Sequence, residues 1–233
     1  MSESLLLKEN LKEYYTSVGV IPGERFACKF KDSCSGNLAR GMQCHIGGSY
    51  GKKIKILVAA LDCGNGGADV IDQRTQNIMS DAKKNTRNLH MRGTFQALSY
   101  FMDTTDKSEL AEHMVMINTC KCCNKDNPNQ LAYKYYWNCK DYKIEEILRV
   151  KPEVILFQGK LSTVGCEEKL RYIEGIDDID VYNFLRIYKD QGLTCYAVIC
   201  IHPSARFRYS ERRKTFYEKI LPKIADYIKS HHL

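Results

Sequence analysis

Residues 54–61 read IKILVAAL, and the eight residues that follow them, 62–69, read DCGNGGAD. An apolar run of this length that ends in a glycine-rich turn is typical of a buried β-strand. Three more apolar runs, at 113–118, 153–157 and 195–201, predict three further strands. Helical patterns lie between the runs, at 92–102, 142–150, 162–173 and 181–190. Strands that alternate with helices predict a three-layer α/β/α fold with a central, mostly parallel four-stranded sheet.

The chain is long enough to form one complete core. It has 233 residues, of which 44% are hydrophobic, and we expect a single domain over 1–233. Leucines interleaved with charged residues predict an amphipathic helix over 1–15, within an N-terminal segment 1–20. Segment 21–50 is predicted to be a loop region that contains cysteines. A last amphipathic helix is expected over 211–230, with a kink or break at Pro222.

Composition and charge indicate the cellular compartment and the binding partners to expect. The formal net charge is +7, which favours an acidic partner such as DNA. No apolar run approaches the roughly 20 residues needed to cross a bilayer, and the first residues do not resemble a signal peptide. We therefore expect a soluble, cytoplasmic monomer that does not bind membranes. Eleven cysteines, an odd number, indicate metal ligation and buried thiols rather than a disulfide framework.

Polar residues follow three of the predicted strands. Asp62 comes directly after the first, Asn118 ends the second and His202 follows the fourth. The carboxyl ends of parallel strands meet at one edge of the sheet, so these side chains are expected to converge on one crevice. Gly64, in the turn after Asp62, would allow a flat ligand to approach the backbone. The spacing fits neither a dinucleotide fingerprint nor a P-loop, and Asp62 has the alternative role of a turn or helix cap.

The segment after the last strand, 202–209, reads HPSARFRY. A histidine followed by a stiff proline turn and then by aromatic residues interleaved with arginines suits a loop pressed against phosphates. An ordinary basic loop, with His202 bonded to the backbone, is the alternative. The residues expected to contact DNA are Ser204, Arg206, Phe207 and Arg208.

Four cysteines form two pairs that suit a metal cluster. Cys28 and Cys34 are one pair, and Cys122 and Cys139 are the other. Four thiolates are the usual requirement of a 4Fe-4S cluster, and zinc is the competing ligand. The dense run 120–123 leaves the register open by a residue or two, and Cys44 is an alternative member of the first pair. Four other cysteines are predicted to be buried small residues: Cys63, Cys166, Cys195 and Cys200.

The order of these motifs resembles the uracil-DNA glycosylase superfamily, and most closely its iron–sulfur branch. The matching stretches are 56–64, 117–122, 151–159 and 201–204. The resemblance implies excision of uracil, or a related deaminated base, from DNA during base excision repair. It gives Asn118 the role of reading the base, His202 that of bonding uracil O2, and Asp62 that of positioning water. It also places residues 205–207 where the base leaves the duplex, and makes Cys122 and Cys139 cluster ligands.

The chain departs from the family pattern at several points. The acid at 62 is shifted by one place and the usual proline is missing, so Asp69 is the alternative for positioning water. The Cys28–Cys34 gap is wider than usual. The aromatic that stacks on the base is expected at Phe95, with Met91 as a second candidate. Two other classes stay open: a nucleic-acid-binding member of the fold without glycosylase activity, and a zinc-binding protein of the same architecture.

Overall fold

A computed structural model describes residues 2–22, 27–30, 34, 41–61, 70–84, 88–121, 133–205 and 209–231. Seven strands within these residues form one sheet. They are β1 (His45–Ile46), β2 (Ile56–Ala60), β3 (Met114–Asn118), β4 (Val154–Gln158), β5 (Leu170–Arg171), β6 (Leu185–Asp190) and β7 (Leu193–Cys200). Their order across the sheet is β1-β3-β2-β4-β7-β6-β5.

The four predicted strands are present and lie side by side at the centre of the sheet. β2 runs parallel to both β3 and β4, and β4 runs parallel to β7. The predicted α/β class and parallel centre are thus observed, but the predicted number of strands is too small. The additional strands β1, β5 and β6 pair antiparallel at the two edges. Two of them are only two residues long, which leaves almost no periodic signal in the sequence.

Nine α-helices surround this sheet in the described part of the chain. They are α1 (Glu3–Ser17), α2 (Ile71–Lys83), α3 (Leu89–Met102), α4 (Lys107–Glu112), α5 (Tyr133–Asn138), α6 (Lys140–Val150), α7 (Ile179–Phe184), α8 (Ser210–Thr215) and α9 (Leu221–Ser230). The predicted N-terminal helix is confirmed as α1, and the Ser2 hydroxyl caps it by accepting the amide N–H of Leu5. No helix among the described residues is long and apolar enough to span a bilayer.

Two apolar clusters, one on each face of the sheet, form the core. Successive strand residues point to opposite faces, so Val58 packs with α3 and α9 whereas Leu57 packs with α1 and α6. Helices therefore cover both faces, which gives the three layers that the sequence predicts. Strands β2, β3 and β4 are buried along their whole length, and β7 is buried over 195–198 and at Cys200, as expected for parallel strands between two helical layers.

Two predicted helices are wrong in whole or in part. Residues 162–173, predicted as a helix, contain the end of one 3₁₀ turn (Lys160–Thr163), a second 3₁₀ turn (Glu167–Lys169) and β5. Residues 181–190 are helical only to the end of α7 and then form β6. β6 pairs antiparallel with β7, and this long-range pairing overrides the local helical pattern.

The predicted C-terminal helix is present, and its hydrogen-bond pattern changes just before Pro222. It consists of α8, a π-helical turn (Phe216–Ile220) and α9. Pro222 lies in the first turn of α9, directly after the π-helical turn, and has no N–H to donate to a carbonyl of that preceding turn.

Candidate functional site

The carboxyl ends of the four parallel strands form one edge that carries polar side chains. Asn118 is in register with Ala60, and Gln158 is in register with Cys200. Ala59 pairs with Phe157, so Ala60 and Gln158 are neighbours as well. Asn118, Ala60, Gln158 and Cys200 therefore make a continuous row at the end of the sheet. Alternation places all four on the face that α3 covers.

His202 lies two residues beyond Cys200, at the same edge of the sheet. β2 and β4 separate its strand from the strand of Asn118, so three strand spacings, about 14 Å, lie between the two strand ends. Leu61 continues β2 at this edge, between them. Asp62 and Gly64, which the sequence assigns to the same crevice, lie outside the described residues, as does the alternative acid Asp69.

The side chain of Asn118 is buried without a hydrogen-bond partner among the described residues. It is 2% exposed, and neither Nδ2 nor Oδ1 makes a hydrogen bond there. Its backbone carbonyl does have a partner, because Lys121 Nζ donates to that oxygen over 2.6 Å. Buried polar side-chain atoms are nearly always paired, and an unpaired donor or acceptor costs about 1–3 kcal/mol. Within the described part of the chain, this amide has both a donor and an acceptor to offer a ligand.

The imidazole of His202 is held as a neutral ring whose Nε2 carries the proton. Nδ1 accepts the amide N–H of Ser204 over 3.3 Å and lies 3.0 Å from its hydroxyl oxygen. Burial lowers the pKa of His202 to about 4, so the ring is uncharged at neutral pH. With Nδ1 used as an acceptor, Nε2–H is left as a donor. Ser204, predicted to contact DNA, thus fixes the tautomer of this histidine.

A second histidine, His90 on α3, stands beside His202. Their rings stack with centroids 5.4 Å apart. His90 Nε2 lies 2.5 Å from Gln158 Oε1, and Gln158 Nε2 donates to Thr94 Oγ1 over 2.7 Å. Burial, and to a lesser extent His202, lower the pKa of His90 to about 4. Gln158 is thereby held by two residues of one helix, which fixes α3 to the end of β4.

His90, Thr94 and Gln158 were not predicted from the sequence. Gln158 ends a predicted strand, so the rule that selected Asn118 and His202 could also have selected it. His90 does not lie at a strand end, so the sequence gives no comparable signal for it. Its contacts with His202 and Gln158 depend on how α3 crosses the sheet.

The loop after β7 is fixed by close packing and by hydrogen bonds to its carbonyls. A Cβ on Gly93 of α3 would lie 2.7 Å from Pro203 Cβ, so only glycine permits this approach. Arg213 Nη1 donates to the carbonyls of Pro203 and Ala205, and the Tyr217 hydroxyl donates to that of Ile201. The predicted DNA contacts Arg206, Phe207 and Arg208 lie outside the described residues.

The two candidates for base stacking are packed in the apolar core. Phe95 is 2% exposed and Met91 is 3% exposed, both within the cluster between α3 and the sheet. Phe95 also lines a groove of about 600 Å³ that runs between α3 and α8 past Pro203. The ring in contact with His202 is that of His90 instead.

Three of the four predicted cluster ligands lie around the start of α6. Cys139 precedes this helix. Asn138 Nδ2 donates to Cys34 Sγ over 3.1 Å, and the Tyr142 hydroxyl donates to Cys28 Sγ over 3.5 Å. The fourth ligand, Cys122, lies outside the described residues.

A thiol from the dense cysteine run is also near this point. A hydrogen bond with Cys120, together with burial, raises the pKa of Cys139 well above its ordinary value. Cys120 thus contacts Cys139, and Cys44 is buried beside Tyr15. In the described part of the chain, no three cysteine, histidine or carboxylate side chains lie close enough together to hold a metal ion. Thiolates are suitable donors for iron–sulfur clusters or zinc. As placed in this structure, Cys28, Cys34 and Cys139 are not close enough together to hold such a group, and Cys122 lies outside the described residues.

A buried ion pair supports the end of β3 from the opposite face of the sheet. Lys121 Nζ lies 2.6 Å and 2.5 Å from the two carboxylate oxygens of Glu146 on α6. The Tyr15 hydroxyl of α1 donates to the same carboxylate. Burial raises the pKa of Glu146, and Lys121 opposes that shift. The same lysine binds the Asn118 carbonyl, so this network positions the strand end that presents the unpaired amide.

No protein-family model matches the sequence, and no curated protein has significant similarity to it.

Proposed function

We propose that this protein is a DNA glycosylase that removes uracil, or a related deaminated base, by hydrolysing the N-glycosidic bond. The unpaired, buried amide of Asn118 carries the proposal. A carboxamide offers one acceptor and one donor, which match N3–H and O4 of uracil. Cytosine presents an acceptor and a donor in the reverse order, so the same amide rejects it.

His202 supports the departure of the base. As the bond between sugar C1′ and uracil N1 breaks, its electron pair moves onto the base and negative charge develops at O2. A neutral imidazole with Nε2–H donates a hydrogen bond to that oxygen without carrying a positive charge itself. Donors already aligned with a developing anion are among the largest contributions to catalysis.

The remaining atoms of the reaction come from water. Its oxygen bonds to C1′ as N1 leaves, and its displaced proton must reach a base. Asp62 is proposed to orient this water and accept the proton, with Asp69 as the alternative. Asp62→Asn should slow excision by at least about 10²-fold while DNA binding is kept. Full activity in that variant would move the role to Asp69.

A 4Fe-4S cluster is proposed at Cys28, Cys34, Cys122 and Cys139, with zinc as the alternative. The soft donor set and the contacts of Cys28 and Cys34 with residues on either side of Cys139 support it. Hydrolysis transfers no electrons, so the bound group would supply structural support. These residues would tie the cysteine-containing loops to the start of α6.

The deciding experiment is a single-turnover excision assay on oligonucleotides that contain one uracil. Wild-type protein should release uracil, and Asn118→Asp should lose preference for uracil over cytosine. Asn183→Asp is a matched control, since this exposed asparagine lies on α7, which leads into the edge strand β6 and not out of β3, the strand that presents Asn118. Binding without any base release would make the protein a nucleic-acid-binding member of the fold. Unchanged discrimination in Asn118→Asp would remove Asn118 from base recognition.

A further inference from the structure

Two large aromatic rings are exposed on the short helix α5. Tyr133 and Trp137 lie one helical turn apart, with ring centroids 6.4 Å apart and 19° between the ring planes. They are 54% and 44% exposed. Trp137 is the only tryptophan in the chain. Large exposed rings that occur together indicate a contact surface.

The exposed surface continues onto the 3₁₀ turn Lys160–Thr163. α5 packs against this turn, and Leu161 within it is 40% exposed. The turn is firmly held, because Lys143 Nζ donates to the carbonyls of Ser162 and Val164 over 2.7 Å and 2.6 Å. Tyr133, Trp137 and Leu161 together form the aromatic platform.

Lysines surround the aromatic platform. Lys140 Nζ lies 3.7 Å from the centroid of the Trp137 ring, Lys134 lies on the same helix, and Lys160 begins the 3₁₀ turn. None of the three pairs with a carboxylate among the described residues. The nearby acid Asp141 lies 3.6 Å from Lys29 instead. Cations that have no carboxylate partner in the described ranges, next to exposed rings, match a polyanion that also has flat aromatic faces.

The aromatic platform begins next to the candidate site. Gly159, the residue before the 3₁₀ turn, has φ +92°, and a Cβ built on it would lie 3.4 Å from His202 Cβ. The backbone that touches His202 therefore leads directly into the turn that carries Leu161. A strand whose target base lies at His202 would have its neighbouring nucleotides within reach of α5.

We propose that the aromatic platform binds unpaired nucleotides of single-stranded DNA next to the target base. This inference rests on the proposed function and deepens it by naming single-stranded DNA as the substrate. Bases stack on exposed aromatic rings without regard to sequence, and nearby lysines bind the phosphates. Bases within a duplex already stack on one another, so their faces are not available.

Trp137 itself reports on this contact. Undamaged oligothymidylate should quench the tryptophan emission of the full-length protein, and a duplex of the same length should quench it much less. Higher salt should weaken binding, because phosphate contacts release counterions. Emission unchanged at saturating single strand, with binding shown by a labelled oligonucleotide, would overturn the proposal.

Variants measured by anisotropy of a labelled, undamaged single strand supply the second test. Trp137→Ala should weaken binding by about tenfold, the effect of one lost base stack. Tyr172→Ala is the matched control, because Tyr172 is 60% exposed and also stacks, on Tyr182 and Arg186, at another part of the surface. Thermal melting of both variants serves as the check that each one folds. Equal affinity in the two variants would overturn the proposal.

The outcomes separate this inference from the proposed chemistry. The quenching probe contains no uracil, so it tests binding separately from excision. Quenching by this probe, with no excision from a uracil-containing strand, supports the aromatic platform and counts only against glycosylase activity. Excision of uracil without quenching of the Trp137 emission supports glycosylase activity and counts against the aromatic platform. Self-association that disappears in Trp137→Ala, with DNA binding unchanged, would assign the surface to a second copy of the chain and overturn the proposal.

Discussion

The imidazole of His90 covers one face of the imidazole of His202, with the two ring planes inclined by 28°. His90 is itself fixed by Gln158. Burial lowers the pKa of both rings to about 4, so both are neutral when the protein is at physiological pH. Two cationic rings at this separation would repel each other, whereas two neutral rings stack favourably. The contact therefore helps to keep His202 in the form that donates a hydrogen bond without a charge.

Removal of the His90 ring should raise the pKa of His202. His90→Ala admits water to the covered face, so the pKa should move from about 4 toward the ordinary value near 6.5. NMR titration of the imidazole protons measures the pKa of His202 in this variant. His113→Ala, at the end of α4, is the control and should leave the His202 titration unchanged. An unaltered titration in His90→Ala would show that other groups bury His202.

Replacement of the unpaired Asn118 amide should separate stability from activity. An apolar side chain of similar size removes two unsatisfied polar atoms, so Asn118→Leu should keep the free energy of unfolding or raise it by about 1 kcal/mol. Uracil excision should fall by at least about 10²-fold. Chemical denaturation and single-turnover kinetics measure the two effects. A loss of more than about 2 kcal/mol in stability would mean that the amide has a structural partner.

The buried pair of Lys121 and Glu146 should be costly to break on one side only. Glu146→Leu leaves a buried ammonium without its carboxylate, and we expect a loss of about 3–5 kcal/mol in the free energy of unfolding. The double variant Lys121→Met with Glu146→Leu should recover most of the lost free energy of unfolding. Glu145→Gln, in a half-exposed pair with Arg149, should cost less than about 1 kcal/mol. Denaturant unfolding of the variants tests this, and additive losses in the double variant would contradict it.

Metal content should depend on the cysteines around α6 and not on the other buried thiols. Anaerobically purified wild-type protein should show visible absorption from an iron–sulfur cluster, and Cys28→Ser and Cys139→Ser should lose it. Cys200→Ser should retain it, because Cys200 is buried in the opposite apolar cluster. Elemental analysis distinguishes iron from zinc. Equal metal content in all three variants would contradict the assignment.

The protein should lose stability as the pH falls from about 6.5 toward 4. His45 is fully buried, its ring nitrogens lie near the Ala111 carbonyl and the Thr75 hydroxyl, and burial lowers its pKa to about 4. In this range the unfolded chain takes up a proton that the native ring does not. The free energy of unfolding should therefore fall by up to about 3 kcal/mol from this residue. Denaturant unfolding against pH should show a smaller slope in His45→Gln, and equal slopes would contradict the prediction.

The strands β2 and β3 were predictable because each is buried on both faces. The apolar runs at 54–61 and 113–118 correspond to β2 and β3, which a two-sided core requires to be apolar throughout. The hairpin of β6 and β7 was not predicted. Its turn, Gln191 and Gly192, has positive φ at both residues, as two-residue hairpins require. The glycine was the available signal, and the helical pattern of 181–190 obscured it.

The candidate site was predictable only where strand order determines it. Asn118 and His202 lie at strand ends, and parallel pairing brings both to one edge whatever the details of packing. The part played by His90 depends on the crossing of α3 over the sheet and on one hydrogen bond to Gln158. A single sequence does not show how a helix crosses the sheet, so Phe95 was selected for base stacking on its chemistry alone.

Tyr15 belongs to the first helix of the chain, yet it is linked to the edge that presents Asn118. Its hydroxyl binds Glu146, Glu146 binds Lys121, and Lys121 binds the carbonyl of Asn118. A version of the chain shortened to begin after Ser17 would therefore lose more than a covering helix. It would leave a carboxylate in the interior short of one donor and loosen the far side of the sheet, where the amide is held in place.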